Sequence, residues 1–202
     1  MARCILIAGM PASGKTTFAR HLSAQLLLPM ISKDCLKELM YDTIGFKSKA
    51  EKVTLSITAS EILYYFADSL MAAGVSFILE NNFENVQKPR LSKLLQQYSY
   101  EPLTVRFVGD VQVIYKRYLN RNTSAERHGG HKTSYAWPHQ DSKILNAPPS
   151  FEEFISGVQT RGIGDFSIGG EEIQVDVTDF SQLSYETLVG QIRNMLAYGS
   201  DI

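Results

Sequence analysis

The sequence has little that marks an extracellular, metal-stapled or membrane-spanning protein. It holds two cysteines, Cys4 and Cys35, with no C-x-x-C pair and no Cys/His ligand spacing. A disulfide framework and a zinc ribbon are therefore excluded. No apolar run reaches the ~20 residues that a membrane helix needs. Neither charge sign dominates: 20 Lys and Arg stand against 21 Asp and Glu, a formal charge of −1. That balance gives no general attraction to long nucleic acid or to anionic membranes. The first residues run from Arg3 to Ala8 straight into a glycine-rich loop. That is too short for a signal segment, and the expected location is cytoplasmic.

What is present fits one α/β domain over residues 1–202. Five short β-like runs, 3–8, 29–32, 75–80, 103–108 and 173–177, alternate with helical stripes. All but the second are nearly continuous apolar runs, the pattern of strands covered on both faces. The stripes include Phe18-Leu22-Leu26, Leu36-Leu39-Met40, Ala59 to Leu70, Val111 to Tyr118, and Leu188 to Leu196 before Gly199. The alternation predicts a five-stranded parallel sheet with helices on both faces. The stretch 122–170 breaks the pattern with Gly129-Gly130, Pro138 and Pro148-Pro149, and offers one short helix, 151–158. Together with the helix end before it, it forms an expected lid or insert over about 116–170. A loop of that length in a compact domain is usually functional.

Gly9-Met10-Pro11-Ala12-Ser13-Gly14-Lys15-Thr16 reads G-x-x-x-x-G-K-T, with Thr17 next. Each fixed position answers a physical demand. Gly9 and Gly14 let the backbone turn through positive φ, and successive N–H groups of the loop that runs through Pro11, Ala12 and Ser13 to Thr17, proline itself donating none, point inward and form an anion nest. The helix that opens at Lys15 adds its positive end. Lys15 reaches the β- and γ-phosphates of ATP, and the Thr16 hydroxyl ligates Mg²⁺.

The rest of the chain narrows the chemistry. The guanine-reading N/T-K-x-D motif is absent, and no apolar run ends in an Asp-Glu pair, which disfavours Ras-like GTPases and motor ATPases. The third strand ends in Glu80-Asn81-Asn82, and the second in Ser32-Lys33-Asp34. Both lie at the carboxyl edge, where open α/β sheets bind ligands. Asp34 is either the acceptor's proton acceptor, an N-cap of the helix that follows, or both.

With these residues the chain resembles the zeta-toxin and polynucleotide-kinase-like group of P-loop kinases, the AAA-type domain-33 proteins. The resemblance rests on the phosphate loop, S-K-D-x-x-K-E at Ser32–Glu38, A-G-x-S-x-I-L-E at Ala73–Glu80, and the Arg117-x-x-x-Arg121 spacing. It implies strand order 2-3-1-4-5, Asp34 as the residue that orients or deprotonates an acceptor hydroxyl, and phosphate contacts from Arg117, Arg121 and Arg127. Many members carry Asp where this chain has Glu80, a carboxylate that would hold Mg²⁺ through water. Members act on dissimilar acceptors, so the likeness leaves the acceptor open.

The segment from Lys116 to Lys132 holds five cations against Glu126, with His128 and His131 between them. Arginine forks there suit phosphate oxygens. A zinc site from these two histidines lacks a third ligand in sequence range. Trp137 and Tyr135 would cover an acceptor or anchor the lid. The loop with Asp176, Thr178 and Asp179 is expected near the adenine. The expected activity is transfer of the γ-phosphate of ATP to a small hydroxylated molecule. Two alternatives remain: a polynucleotide 5′-hydroxyl kinase, and a nucleotide-dependent switch with negligible transfer. Oligomeric state is open.

Overall fold

The structure, a computed structural model, describes residues 2–138 and 146–198. Gly199 and residues 139–145 of the expected insert lie outside them. The strands are β1 (Arg3–Gly9), β2 (Met30–Ser32), β3 (Phe77–Glu80), β4 (Glu101–Val108) and β5 (Glu171–Asp176). They form one parallel sheet in the order β2-β3-β1-β4-β5. The helices are α1 (Lys15–Leu26), α2 (Lys33–Thr43), α3 (Lys49–Ala72), α4 (Lys88–Gln97), α5 (Val111–Thr123), α6 (Gly129–Lys132), α7 (Phe151–Arg161) and α8 (Tyr185–Tyr198).

The central strand shows why the sheet is covered twice. Ile5 and Ile7 of β1 point into a core shared with α1, α5, α7 and α8. Cys4, Leu6 and Ala8, on the alternate positions, point into a core shared with α3 and α4. An apolar run at period 2 thus feeds both layers. β5 departs from the expectation of a strand covered on both faces. Only Ile173 and Val175 are buried in it, while Glu172, Gln174 and Asp176 are exposed. As an edge strand it packs one face, and its charges discourage further pairing.

Two helices also differ from the sequence expectation. α3 starts ten residues before the Ala59 stripe, capped by Ser48, which accepts from the Glu51 N–H at 3.2 Å. Its first turns expose Val53 and Ile57, so no continuous buried stripe announces them. α4 was not anticipated, although Leu91, Leu94 and Leu95 bury a face at helical spacing.

A third, smaller core joins α2, α3 and the insert: Met40, Tyr41, Phe46, Leu55 and Ala59, with Trp137 packed against them. Phe46 and Trp137 pair as an isolated antiparallel bridge. The Lys52 ammonium donates to the carbonyls of Thr133 and His131. The first part of the insert is therefore seated on the α2–α3 pair, which sets the height at which Arg127 stands. Among the described residues no helix is long and apolar enough to cross a membrane.

Candidate active site

The sheet register builds the floor. Ser32 pairs with Glu80, and Glu80 pairs with Ile7, two residues ahead of Gly9. The carboxyl ends of three strands thus meet beside the start of the phosphate loop. Glycine is required at position 9: φ is +135°, and a Cβ there would lie 2.4 Å from the Phe107 carbonyl oxygen. Ala12 (φ 64°) and Gly14 (φ 87°) also turn through the left-handed region, which aims successive N–H groups to one side. Gly14 offers no side chain to cap α1, so the first N–H groups of that helix face the loop's hollow.

Lys15 is buried, and its Nζ donates to the Met10 carbonyl at 2.7 Å. The Ser13 hydroxyl donates to the same oxygen at 2.8 Å. Burial lowers the Lys15 pKa from 10.5 to about 8, against the pull of Glu80 and Asp34. Glu80 is buried too. Its pKa is raised by burial, opposed by Lys15 and by hydrogen bonds from Ser32 and Thr16. The Ser32 hydroxyl donates to Glu80 Oε2 at 2.5 Å.

The structure decides what caps α2. Ser32 is the N-cap and accepts from the Cys35 N–H, leaving Asp34 in the first turn with its carboxylate free for other partners. Lys37 Nζ lies 3.3 Å from one oxygen and Arg127 Nη1 3.9 Å from the other. Burial alone would raise the Asp34 pKa, but the charges of Lys37, Arg127 and Lys15 outweigh it and hold the carboxyl well below the usual range. Asp34 is ionised at any working pH.

Arg127 is the least satisfied group in the site. Its side chain is 12% exposed, yet Nε and Nη1 have no hydrogen-bond partner. Buried donors are left unpaired only at a cost, and a site that keeps two of them is shaped for an acceptor from outside. Arg117, by contrast, is occupied: it donates to the carbonyls of Val177 and Thr178 (2.8 Å for the latter) and stacks on Phe180 at 4.0 Å. It faces the expected base side of the site rather than Asp34. Arg121 is exposed on the last turns of α5.

The two histidines are engaged by α2. His131 Nε2 lies 3.0 Å from Glu38, and burial drops its pKa to about 4, so the neutral ring donates. His128 Nδ1 accepts from the Gly130 N–H while Nε2 faces Asp42 at 3.0 Å. Trp137 Nε1 donates to the same carboxylate at 3.3 Å. Among the described residues no three His, Cys, Asp or Glu side chains gather around one point. These contacts dock α6 and the start of the insert on α2.

Two cavities open over this floor. One, of about 260 Å³, is bounded by Pro11, Glu80, Asn81, Asn82, Glu153 and Arg161. The other, of about 640 Å³, is bounded by Ala12, Gly14, Thr17, Arg20, Arg117 and Phe180. Lys15, Thr16, Asp34, Arg121 and Arg127 line both. Gly9 and Ser13 line neither. Lys37 and Arg161, which also reach the smaller cavity, escaped the sequence reading. Arg161 is brought there by α7 packing across α5, which no local pattern encodes.

A family model described as the AAA domain matches residues 4–137. A "putative kinase" from Chloroflexus aurantiacus is 26% identical, with a TM-score of 0.74 over 98% of both chains. A sugar kinase from Janibacter sp. HTCC2649 (15% identity, TM-score 0.56, 98% and 95% coverage) shares the fold. So does a shikimate kinase from Acinetobacter baumannii, at 12% identity and TM-score 0.55 over 100% and 97%. No curated protein matches.

Proposed function

The chain belongs to the AAA-domain family matched over residues 4–137, here in its P-loop kinase-like form, and from that premise we propose that it transfers the γ-phosphate of ATP to a hydroxyl of a small molecule. One observation carries the reading: the two cavities share a wall made of Lys15, Thr16, Asp34, Arg121 and Arg127. Triphosphate laid on the phosphate loop from the larger cavity presents its last phosphate at that wall. An acceptor in the smaller cavity meets it beside Asp34. A volume of about 260 Å³ suits a small acceptor, below the usual range for drug-sized ligands.

The chemistry follows from the charges. The acceptor oxygen forms a bond to the γ-phosphorus, and the bond from that phosphorus to the β–γ bridging oxygen breaks. Asp34 accepts the hydroxyl's hydrogen bond and takes its proton late, because a carboxylate this acidic orients better than it deprotonates. Lys15 and the unsatisfied donors of Arg127 offset charge that spreads over the transferring phosphoryl oxygens. The Thr16 hydroxyl and the Glu80 carboxylate, which both line the smaller cavity, form an oxygen-only donor set that fits Mg²⁺. That ion, bound with the triphosphate, would neutralise phosphate charge.

The direct test is a metabolite and antibiotic panel with γ-labelled ATP and Mg²⁺, with Lys15→Ala as the control for contaminating kinases. Label should appear in one class of hydroxylated acceptor and vanish in the control. Slow release of inorganic phosphate, indifferent to every acceptor, would leave a nucleotide-dependent switch instead.

The state of Lys15 adds a pH prediction. Its folded pKa lies near 8, below the unfolded value, so the empty protein gains stability as pH rises from about 8 toward 10.5, where only the unfolded chain holds the proton. Bound triphosphate keeps the ammonium charged. Above pH 8, binding should take up a proton and affinity should fall about tenfold per pH unit. Calorimetry in buffers of different ionisation enthalpy reads that uptake, and Lys15→Arg should remove it.

A further inference from the structure

Lys37 and Arg161 line the smaller cavity and not the larger. They stand on the acceptor's side of the shared wall, beyond Lys15, Arg121 and Arg127, which answer the phosphates. Arg161 ends α7 with its fork held in place. Its Nε donates to the Gly157 carbonyl at 2.7 Å, and Nη1 meets Glu84 at 3.2 Å. Nη2 has no partner among the described residues. A guanidinium with two nitrogens tied and a third left over is set for an incoming pair of oxygens. The Arg161 side chain is 42% exposed. A molecule that fills the cavity covers it, and must supply an acceptor or leave a donor stripped of water.

Positive charge gathers on this side. Burial lowers the Lys33 pKa, and the like charges of Lys37 and Arg161 add to the fall against the pull of Glu84 and Asp34. The two carboxylates are already shared: Glu84 pairs with Arg161, and Asp34 with Lys37 and Arg127. Glu80 accepts from the Ser32 hydroxyl and feels Lys15. Glu153 caps its own helix, accepting from the Ser150 N–H at 2.7 Å. Its second oxygen and the side-chain amides of Asn82 and Asn122, on the same cavity wall, suit hydroxyl groups. The cavity thus offers hydroxyl-reading groups along its wall and spare cationic donors at Arg161 and Lys37.

We propose that the acceptor is a hydroxylated acid, whose anionic oxygen group, a carboxylate or a phosphate ester, is held by Arg161 and Lys37 while its hydroxyl meets Asp34. An arginine fork matches either group with paired, charge-assisted hydrogen bonds. The acid group takes no part in bond making; it fixes which hydroxyl is presented. The proposal rests on the reading of the smaller cavity as the acceptor site.

The test is transfer from γ-labelled ATP with Mg²⁺ to matched sets that share a carbon skeleton: glycerol, glycerate and glycerol 3-phosphate; sorbitol, gluconate and glucose 6-phosphate; and the neutral, carboxylate and phosphate members of a wider metabolite panel. The kcat/KM of the anionic member should exceed that of its neutral counterpart by about thirtyfold or more, the size of one hydrogen bond to a charged group. Preference for the carboxylate or for the phosphate within a set tells which group Arg161 holds. Arg161→Ala should cut the anionic-to-neutral ratio by about tenfold, chiefly through KM for the acid, and Arg161→Glu should invert it. The ratio reads the contact and not the folding, since a partly unfolded variant loses both substrates alike. Neutral acceptors used as well as acids, or a ratio that Arg161→Ala and Arg161→Glu leave unchanged, would overturn the proposal with the kinase reading still standing. Label in no member of any set, with ATP bound, would bring down the transfer reading itself.

Discussion

Asp34→Asn should lower the transfer rate by about two to four orders of magnitude, the usual contribution of a positioned proton acceptor, and leave ATP affinity close to wild type. The amide keeps the size and one acceptor oxygen of the carboxylate but cannot take the acceptor's proton. The side chain caps nothing, because Ser32 does that work for α2, so the helix keeps its start, although losing the pairs with Lys37 and Arg127 costs some stability. It is also one of the negative charges that Lys15 feels. Its removal should tighten triphosphate binding slightly, since a repulsive charge leaves the shared wall. Single-turnover transfer and an ATP titration on the same variant check both halves. A normal rate would strip Asp34 of its role, and a lost rate accompanied by lost ATP binding would make it a structural residue.

Arg127→Met should produce a comparable fall in rate, about a thousandfold, and at the same time raise the melting temperature of the ligand-free protein. An arginine that meets transferring phosphoryl oxygens is worth three orders of magnitude or more. The same guanidinium, with no nucleotide present, keeps Nε and Nη1 buried without partners. Relieving such groups recovers about 1–3 kcal/mol, which for a chain of this size is several degrees. Its ion pair with Asp34 at 3.9 Å is too long to offset that. Arg121→Met should show the rate loss in weaker form and no gain in stability, because Arg121 is exposed. Calorimetric melting and steady-state kinetics on the two variants separate a strained functional group from a solvated one. A destabilised Arg127→Met would mean that the side chain holds the insert in place.

The division between chain and fold runs through particular residues. The phosphate loop is legible because its demands are local: Gly9 and Gly14 meet backbone conformations within eight residues, and Lys15 and Thr16 follow on the same turn. The parallel sheet follows from apolar runs alternating with helical stripes, and its strand order was anticipated from the family resemblance. The limits of α3, and α4 altogether, were not. Their buried faces depend on what packs above them, and a helix start that exposes Val53 and Ile57 carries no stripe to find. Asp34 stood in the sequence as a cap, a catalytic group or both, and only the position of the Ser32 hydroxyl removes the cap. The three lid arginines looked equivalent along the chain. Folded, one donates to the carbonyls that follow β5, one is exposed at the rim of both cavities, and one is half-buried with unpartnered donors near Asp34. Their difference arises from where α5 meets β5 and where the insert seats on α2 and α3. Those distances are set by contacts far apart in sequence, which residue type and spacing do not carry.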